Sequence, residues 1–534
     1  MKFLNWLLYE VHRWLGIGLA LFMFVWFVSG LVIMYSTPMT QNRSEQLAHA
    51  QTLAPQSGWL SLGEAWERSS AQRLALKFTA KAEPNVNDKA GPISIVDAKL
   101  VRIADAPVWL VEDTRGQRVA LSAIDGSVLE TTSDNALTIA KNWSEAKGIE
   151  NANVHFIDTV ENPIMLRNQE AVKPFHHIAI GEDGLEVLIS ARTGELLHVS
   201  TPIARALYWT GNWVHLFKPL DAIGLNSVRH DIQLWAGFTA TIAALTGLII
   251  GWLRWRPGFA GKKTYSQGRT QPYRENWMKW HFWAGLLGGT AALLWAFSGY
   301  LSTNPYKVFS PNDAANRPEI ARYLGNDIPY LMKEWQPAPF ENVKADIVEL
   351  NWRRLGDHAI LLAYTREGGR LVDKTTFGER FNEIALVDGA KRLNGNNAPI
   401  ERFETLTDYD SYYYPKDHQT SVEKPLPITL VQFADAQGTR IYIDPQDGRV
   451  LAKLDQSRRV YRWLFSALHY WDFGWFHYEP LWQTWMLTWV GFGLVLSASS
   501  LVIGWRRLKK TFVDLAKSKM IILEQEKLGD KNAL

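Results

Sequence analysis

Four long apolar segments constrain this chain more than any other feature of its sequence. A bilayer core is about 30 Å thick, so a spanning helix needs about 20 apolar residues. Four stretches meet this requirement, and no other does: Val11–Tyr35, Ile232–Trp252, Trp280–Leu301 and Leu481–Trp505. The first is too long for a signal peptide and lacks a clear cleavage site, so we interpret it as a retained span. The sequence therefore predicts an α-helical membrane protein with a four-helix transmembrane bundle.

Basic residues set the predicted orientation of the spans. Lys2 and Arg13 lie at the start of the first span, and the link between the second and third spans has only one acid, Glu275. The basic residues of that link, and of the chain after the fourth span, are Arg254, Arg256, Lys262, Lys263, Arg269, Arg274 and Lys279, then Arg506, Arg507, Lys509 and Lys510. Because basic loops are retained in the cytoplasm, we expect both termini inside and the two long connections outside.

The two long connections have the pattern of α+β domains. Alternating apolar and polar residues that end in a Gly turn recur from Pro107, Leu185 and Thr439, which is typical of short antiparallel strands. Ser61, followed by Glu64, predicts a capped helix. The predicted plan is a first span (1–36), a first outer domain (37–204), an interfacial helix with the second span (205–256), a cytoplasmic loop (257–276), a third span (277–301), a second outer domain (302–458), an interfacial helix with the fourth span (459–508) and a cytoplasmic tail (509–534).

The two halves of the chain resemble each other. A shift of 269 residues matches the first span to the third, with six identities: His12 to His281, Trp14 to Trp283, Gly16 to Gly285, Trp26 to Trp295, Ser29 to Ser298 and Gly30 to Gly299. A shift of 253 matches the second span to the fourth, and His215 falls on His469 with one more residue of slip. Both halves have the same orientation, so the bundle is predicted to consist of two parallel two-span repeats.

Histidines occupy repeated positions at the ends of the predicted spans. His12 and His281 lie at the cytoplasmic ends of the first and third spans, whereas His215 and His469 lie in aromatic segments near the outer surface. Ionisable residues at membrane depth are costly and usually functional. His230 and His477 also lie near the outer surface, but they are not related by the repeat. We rank those two as second-tier ligands or proton carriers.

Paired histidines on different helices favour haem as the cofactor. The chain has no cysteine, which excludes disulfides, cysteine-ligated iron–sulfur clusters and thioether-bound c-type haem. Haem iron takes two axial imidazoles, and a helix bundle can supply them from opposite sides. We predict two b-type haems with iron bound by His12 and His281 and by His215 and His469. In this prediction Gly16, Gly18 and Gly285 admit the macrocycle, and Trp14, Trp26, Trp283 and Trp295 surround it.

A plainer interpretation remains open for each histidine. A histidine beside Arg or Trp at a helix end can be an interfacial anchor, although the repeat preserves these four while most of their neighbours differ. The remaining histidines belong to the outer segments or to a polar stretch, and we expect polar contacts or solvation for them: His49, His155, His176, His177, His198, His358 and His418.

Other motifs carry little chemistry. The Tyr-rich stretch from Asp408 is predicted to be a loop that binds a ligand or simply covers a domain. We find no phosphate loop, nucleophile elbow, zinc motif or dinucleotide fingerprint. The formal net charge of +3 is small, and we expect the lipid bilayer, and no nucleic acid, as a partner.

The residues resemble a known family, the PepSY-associated transmembrane proteins. The resemblance rests on HRWLG at the start of the first span and on the strand–turn endings VALSAIDGSVLE and RIYIDPQDGRVLAKL. It covers most of the chain, as four spans interleaved with two PepSY-like outer segments. It implies a bacterial inner membrane and periplasmic α+β domains. Some members are di-haem ferri-siderophore reductases, whose histidine positions correspond to His12, His215, His281 and His469.

The resemblance implies an oxidoreductase that passes electrons outward to a ferric siderophore or another ferric chelate. Siderophores hold Fe(III) far more tightly than Fe(II), so one electron loosens the complex. The chain contains no flavin or nicotinamide module, so quinol or a reductase partner is the expected donor. The outer segments look longer than those of the compact reductases, which leaves the substrate open. Two alternatives are a non-redox PepSY protein that binds peptides or regulates a protease, and a quinol-linked subunit that serves a periplasmic enzyme.

Overall fold

The computed structural model divides the chain into two compact units. The helical unit contains residues 1–36, 206–309 and 460–534, and the sheet unit contains residues 37–205 and 310–459. The structure describes residues 2–75, 95–163, 165–166, 169–259, 261–310, 314–325, 332–333, 335–343, 346–372, 380–416, 419–476 and 479–531.

Six long helices organise the two units: α1 (Lys2–Ile33), α2 (Ser133–Ala146), α3 (Arg229–Arg254), α4 (Asn276–Ser302), α5 (Glu383–Leu393) and α6 (Glu479–Lys531). Short α-helices are Arg43–Ala48, Leu62–Arg68, Ser70–Ala75, Pro202–Leu207, Pro219–Ala222, Arg317–Leu324, Gln456–Tyr461 and Leu468–Tyr470. Single 3₁₀ turns are Ser266–Gly268, Pro305–Lys307, Ala338–Phe340 and Gly474–Phe476. The described residues also include two π-helical turns, Tyr208–Trp213 and Arg462–Ala467.

Among the described residues, four helices of the helical unit are long and apolar enough to cross a membrane: α1, α3, α4 and residues Pro480–Leu515 of α6. The prediction of four spans is thus confirmed. α1 packs on α3 and α6, and α4 packs on the same two helices. Glycines allow close packing in the bundle, since a Cβ at Gly288 would lie 2.5 Å from Phe492 and one at Gly289 would lie 2.8 Å from Leu248. Beyond the fourth span, α6 continues to Lys531, where the sequence predicted a tail.

Fifteen described strands form the sheet unit: β1 (Ile95–Ile103), β2 (Ala106–Asp113), β3 (Arg118–Ser122), β4 (Val128–Leu129), β5 (Val154–Val160), β6 (Phe175–Ile180), β7 (Leu185–Ser190), β8 (Leu196–Ser200), β9 (Ile347–Leu355), β10 (His358–Thr365), β11 (Arg370–Val372), β12 (Ile400–Leu406), β13 (Ile428–Phe433), β14 (Arg440–Ile443) and β15 (Val450–Leu454). They form a seven-stranded sheet in the order β11-β10-β9-β1-β2-β3-β4 and two four-stranded sheets, β5-β6-β7-β8 and β12-β13-β14-β15.

The two outer segments form one unit, which corrects the prediction of two separate domains at 37–204 and 302–458. Strand β1 of the first segment pairs antiparallel with β9 of the second, and Lys99 lies opposite Asn351. Strands β1 and β9 occupy equivalent places in the two repeats, so a local two-fold axis passes through this pairing. The core of the large sheet also mixes both segments, with Trp109 and Trp352 in one buried cluster. Each segment alone would leave an unpaired apolar strand edge at the centre of this sheet.

Buried ion pairs also join the two segments. Arg43 donates two hydrogen bonds to Glu349, with an Nη1–Oε2 distance of 2.8 Å, and Lys99 lies 3.7 Å from the same carboxylate. Within the first segment, Lys99 and Arg118 both pair with Glu195, which lies between β7 and β8, at 3.2 Å each. Burial alone would raise the pKa of Glu195, but these two cations lower it to about 2. The buried carboxylates of Glu195 and Glu349 are therefore held charged and paired.

Each half of the sheet unit adds a helix packed on a four-stranded sheet. Trp143 of α2 packs against Ile178 and Ile189 of the first sheet, and Leu386 of α5 packs against Val431 of the second. The α+β character and the strand–turn–strand patterns are as predicted. The capped helix is also confirmed, because the Ser61 side chain accepts from the Glu64 amide and the Glu64 carboxylate accepts from the Ser61 amide.

Candidate functional site

The helical unit brings its four repeated histidines together as two pairs. His12 of α1 and His281 of α4 have ring centroids 6.2 Å apart, and we call them the span pair. His215 and His469 have ring centroids 6.5 Å apart and follow the two π-helical turns, so we call them the π-helix pair. Both pairs cross the repeat, with one histidine from each half. The sequence predicted these pairings, and the structure places the members of each pair side by side.

Neighbouring spans hold the Nδ1 atoms of the span pair. Nδ1 of His12 donates to the carbonyl of Ala243 on α3 over 3.0 Å. Nδ1 of His281 lies 3.2 Å from the Ser500 hydroxyl and 3.4 Å from the Ser499 hydroxyl, both on α6. Each of these hydroxyls itself donates to the carbonyl of Leu496, so each accepts from the histidine N–H.

Serines of α1 and α4 hold the Nδ1 atoms of the π-helix pair. His215 Nδ1 lies 3.0 Å from the Ser29 hydroxyl, and His469 Nδ1 lies 3.0 Å from the Ser298 hydroxyl. Both serine hydroxyls donate to carbonyls of their own helices, so they too accept from the imidazole N–H. Indoles fix the backbone beside these rings: Trp26 donates to the carbonyl of His215 over 3.0 Å, and Trp295 donates to that of His469 over 2.9 Å.

Three of the repeated residues in each span are therefore partners of a histidine. Trp26, Ser29 and Gly30 of α1 contact His215, and their repeat mates on α4 contact His469 in the same way. A Cβ at Gly30 would lie 3.6 Å from His215 Cε1, and one at Gly299 would lie 3.8 Å from His469 Cε1. A π-helical turn precedes each histidine of this pair, and such turns are rare and frequent at functional sites.

All four rings share one protonation pattern. Each Nδ1 carries the proton that its partner accepts, so Nε2 keeps a lone pair, and the described hydrogen bonds of these histidines involve Nδ1 alone. Burial lowers the pKa of His215 to about 4 and that of His469 to about 3, so both rings are neutral at pH 7. Metal-bound histidines in proteins have this arrangement, with one nitrogen on the metal and the other donating to a protein oxygen.

The ring separations match two imidazoles that share one metal ion. A metal–imidazole bond is about 2 Å long and the nitrogen lies about 1 Å from the ring centre, so two rings on opposite sides of one ion have centroids about 6 Å apart. The observed values are 6.2 and 6.5 Å. Beside His12, one turn along α1, a Cβ at Gly16 would meet nothing within 4 Å. The donor set of two neutral imidazoles per pair fits haem iron.

The two pairs lie at different levels of the bundle. α1 carries His12 near its start and, 17 residues later, Ser29, which contacts the π-helix pair. α4 carries His281 and Ser298 at the same interval. At 1.5 Å per residue the levels are about 25 Å apart, close to the thickness of a bilayer core.

Of the two second-tier histidines, His230 does not join either pair. His230 is exposed, and its Nε2 lies 2.9 Å from the carbonyl of Thr303 at the end of α4. His477, like His418, lies outside the described residues. In the sheet unit His176 bonds Thr159 and the carbonyl of Thr131, as expected for a strand residue with polar contacts. Within the described ranges there is no cluster of three or more His, Asp or Glu arranged to hold a metal ion.

Two of the four tryptophans expected around haem lie elsewhere. Trp14 is 52% exposed and donates to Glu10, and Trp283 lines a groove between α3 and α4. Each follows its histidine by two residues, which places it on the opposite side of the helix. That part of the prediction is wrong, whereas Trp26 and Trp295 lie beside the π-helix pair and hold its backbone.

The comparisons with known proteins agree with this architecture. The sequence model of the PepSY-associated TM region matches residues 9–344 and again residues 278–522. The chain belongs to this PepSY-associated family. The family model thus matches twice in a chain with two repeats, and together the matches include all four spans. Among curated proteins none matches the chain.

Sequence reasoning missed the residues that position the histidines. Ser29 and Ser298 appeared in the repeat, but their role needed the packing of the π-helical segments. Ser499, Ser500 and Ala243 gave no local signal, because an ordinary span contains many such residues.

In the sheet unit, the Tyr-rich stretch from Asp408 borders a cavity of about 500 Å³. That this stretch binds a ligand, or simply covers a domain, stays a prediction.

Proposed function

We propose that this protein is a transmembrane electron-transfer protein with two b-type haems, one on each histidine pair. We further propose that it is an oxidoreductase that reduces a ferric siderophore or another ferric chelate and so releases Fe(II). One observation carries the haem proposal: four neutral imidazoles with protein-bound Nδ1 atoms, grouped in two pairs whose centroids are 6.2 and 6.5 Å apart. Histidines that only anchored helix ends at the membrane surface would need neither to lie in pairs nor to share one protonation pattern.

The histidines and their partners have distinct roles in this proposal. His12, His281, His215 and His469 would bind iron through Nε2, and the groups at Nδ1 orient each ring. Haem, when bound, supplies reversible one-electron transfer. The reduction of Fe(III) to Fe(II) itself needs no acid, base or nucleophile, because it consumes one electron and breaks no covalent bond.

The proposed direction of electron transfer rests on the basic residues beside the spans and on the family. The basic residues beside the spans support cytoplasmic termini in a bacterial inner membrane and a periplasmic sheet unit. The π-helix pair would then lie near the periplasmic surface, where a ferric chelate could receive an electron. The donor in this scheme is quinol or a reductase partner.

The test is a spectrum of the full chain purified from haem-replete cells. We expect a Soret band, sharp α and β bands on dithionite reduction, and two b-type haems per chain by the pyridine haemochrome method. The reduced protein is then mixed anaerobically with ferric siderophores and a chromogenic Fe(II) chelator. We expect the α band to decay as the Fe(II) complex forms.

Two outcomes would overturn parts of the proposal. A colourless preparation would remove both redox functions and favour a PepSY protein that binds peptides or regulates a protease. A haem-loaded protein that never transfers electrons to ferric chelates would favour a subunit that serves a separate periplasmic enzyme.

A further inference from the structure

An apolar groove runs along the surface of the helical unit between α3 and α4. Its volume is about 570 Å³, and its lining includes Trp252 and Trp255 at the end of α3 and Trp283, Leu286 and Thr290 of α4. The groove opens sideways, since Trp252 is 59% and its neighbour Leu287 is 52% exposed. Because α3 and α4 are membrane-spanning helices, this opening faces the acyl chains of the bilayer.

Three cations lie at or just after the end of α3 in the chain, and one of them contacts a lining residue of the groove. Lys262 has its ammonium nitrogen 5.2 Å from the ring centre of Trp252 and 3.1 Å from the carbonyl of the same residue. Arg256, next to Trp255, lies over the ring of Tyr265 at 4.4 Å. Arg254 is held by two phenols, at 2.9 Å from Tyr273 and 3.2 Å from Tyr9.

These three cations have neutral partners. Glu275, the one acid between residues 254 and 279, pairs instead with Arg506 at 3.1 Å. Among the contacts of the described residues, no carboxylate pairs with Arg254, Arg256 or Lys262. The groove therefore has a positive charge at its rim, where Lys262 contacts Trp252, and a second basic residue, Arg256, directly after the lining residue Trp255, and an anionic group can neutralise both.

We infer that this groove is a binding site for one anionic phospholipid, with an acyl chain against the tryptophans and the phosphate on Lys262 and Arg256. The shape and the apolar lining of the groove match the acyl chain, and the cations at its rim match the phosphate. A quinol fits less well, because the described lining offers no carboxylate or histidine to accept the protons that a quinol loses on oxidation. The inference does not depend on the haem proposal.

Native mass spectrometry of the full chain in a non-ionic detergent tests this site. The probe is phosphatidylglycerol, and phosphatidylcholine with the same acyl chains is the comparison. We expect one tightly retained phosphatidylglycerol per chain and no retained phosphatidylcholine. The double variant Arg256→Gln/Lys262→Gln should bind phosphatidylglycerol about thirtyfold more weakly, from the usual contribution of two cations to anionic-lipid binding.

The matched control is Lys509→Gln/Lys510→Gln, which removes the same charge from exposed positions of α6 and should bind like the unmodified protein. A third variant, Thr290→Phe, fills the groove without a change in charge and should also lose the lipid. Equal losses in the two double variants, or full retention in Thr290→Phe, would mean that the charge of the surface and not the groove binds the lipid. Displacement of the lipid by a short-chain quinone would likewise overturn the inference.

Discussion

The two histidine pairs differ in how strictly the repeat is preserved around them. At the π-helix pair both Nδ1 atoms lie 3.0 Å from a serine hydroxyl, and both histidine carbonyls accept from an indole. At the span pair the Thr246 hydroxyl lies 3.5 Å from His12 Nδ1 and the equivalent Ser499 hydroxyl lies 3.4 Å from His281 Nδ1. The Ser500 hydroxyl, 3.2 Å from His281 Nδ1, stands where the first half has Gly247. The π-helix pair is thus nearly symmetric, whereas the span pair differs between the two halves at one position.

A single position accounts for that difference. Gly247 lies against the His12 ring, where a Cβ would be 2.6 Å from Cε1. The equivalent position on α6 is Ser500, whose hydroxyl contacts His281. Gly247 leaves room for the His12 ring in the first half of the chain, and the Ser500 hydroxyl binds the His281 ring in the second half. We therefore expect the two haems to differ in affinity and reduction potential, with the two ligands of the span pair unequal.

The largest effect should come from loss of a ligand. His12→Ala or His281→Ala should remove the haem of the span pair, and His215→Ala or His469→Ala should remove the other, because one imidazole is lost in each case. Pyridine haemochrome analysis should give one b-type haem per chain in all four variants. The control His230→Ala should keep two, since His230 lies outside both pairs. If any ligand variant retained both haems, our assignment of that histidine would be wrong.

The next effect should separate the pairs through Gly247. Gly247→Ala would place a Cβ 2.6 Å from His12 and displace its ring, so the span pair should lose most of its haem while the π-helix pair keeps its own. Gly251→Ala, one turn later on α3, is the matched control, because its Cβ would lie 3.5 Å from Leu286, an ordinary contact. Haem content and the electron paramagnetic resonance of the low-spin iron measure the result. Equal haem losses in the two variants would contradict this prediction.

A smaller effect should come from the hydroxyl partners. Ser29→Ala and Ser298→Ala should each weaken haem binding at the π-helix pair by about tenfold, the usual cost of losing a group that orients a metal-bound histidine. Ser500→Ala should cost less, because Ser499 remains within reach of His281. Haem transfer to apomyoglobin gives the dissociation rates. A larger loss of haem affinity in Ser500→Ala than in Ser29→Ala would contradict this ranking of the two partners.

The smallest effect should come from the indoles. Trp26→Phe and Trp295→Phe each remove one hydrogen bond to a histidine carbonyl, at a cost of about 1 kcal/mol in the free energy of unfolding. The two costs should be equal within error, because the two contacts are equivalent. Thermal unfolding in detergent measures them against Trp14→Phe, whose exposed indole should matter little. A marked inequality would show that the π-helix pair is less symmetric than its distances indicate.

Prediction from sequence succeeded where the signal is local or repeated. Apolar length identified the four spans, and the shift of 269 residues selected His12 and His281 together with Ser29 and Ser298. It failed where geometry depends on the direction of a side chain. Trp14 and Trp283 were assigned to the haem from proximity in sequence, although two residues along a helix point to opposite sides.

The sequence by itself determined the spans, the repeat, the family and which histidines to pair, because each depends on hydrophobicity or on identities along the chain. Only the tertiary structure decided that the two outer segments share one seven-stranded sheet, since the pairing of β1 with β9 joins residues about 250 positions apart. It alone decided which groups hold each imidazole, because these contacts join helices distant in sequence. Hydrophobic length is a local property, whereas the separation of two rings depends on how the whole bundle packs.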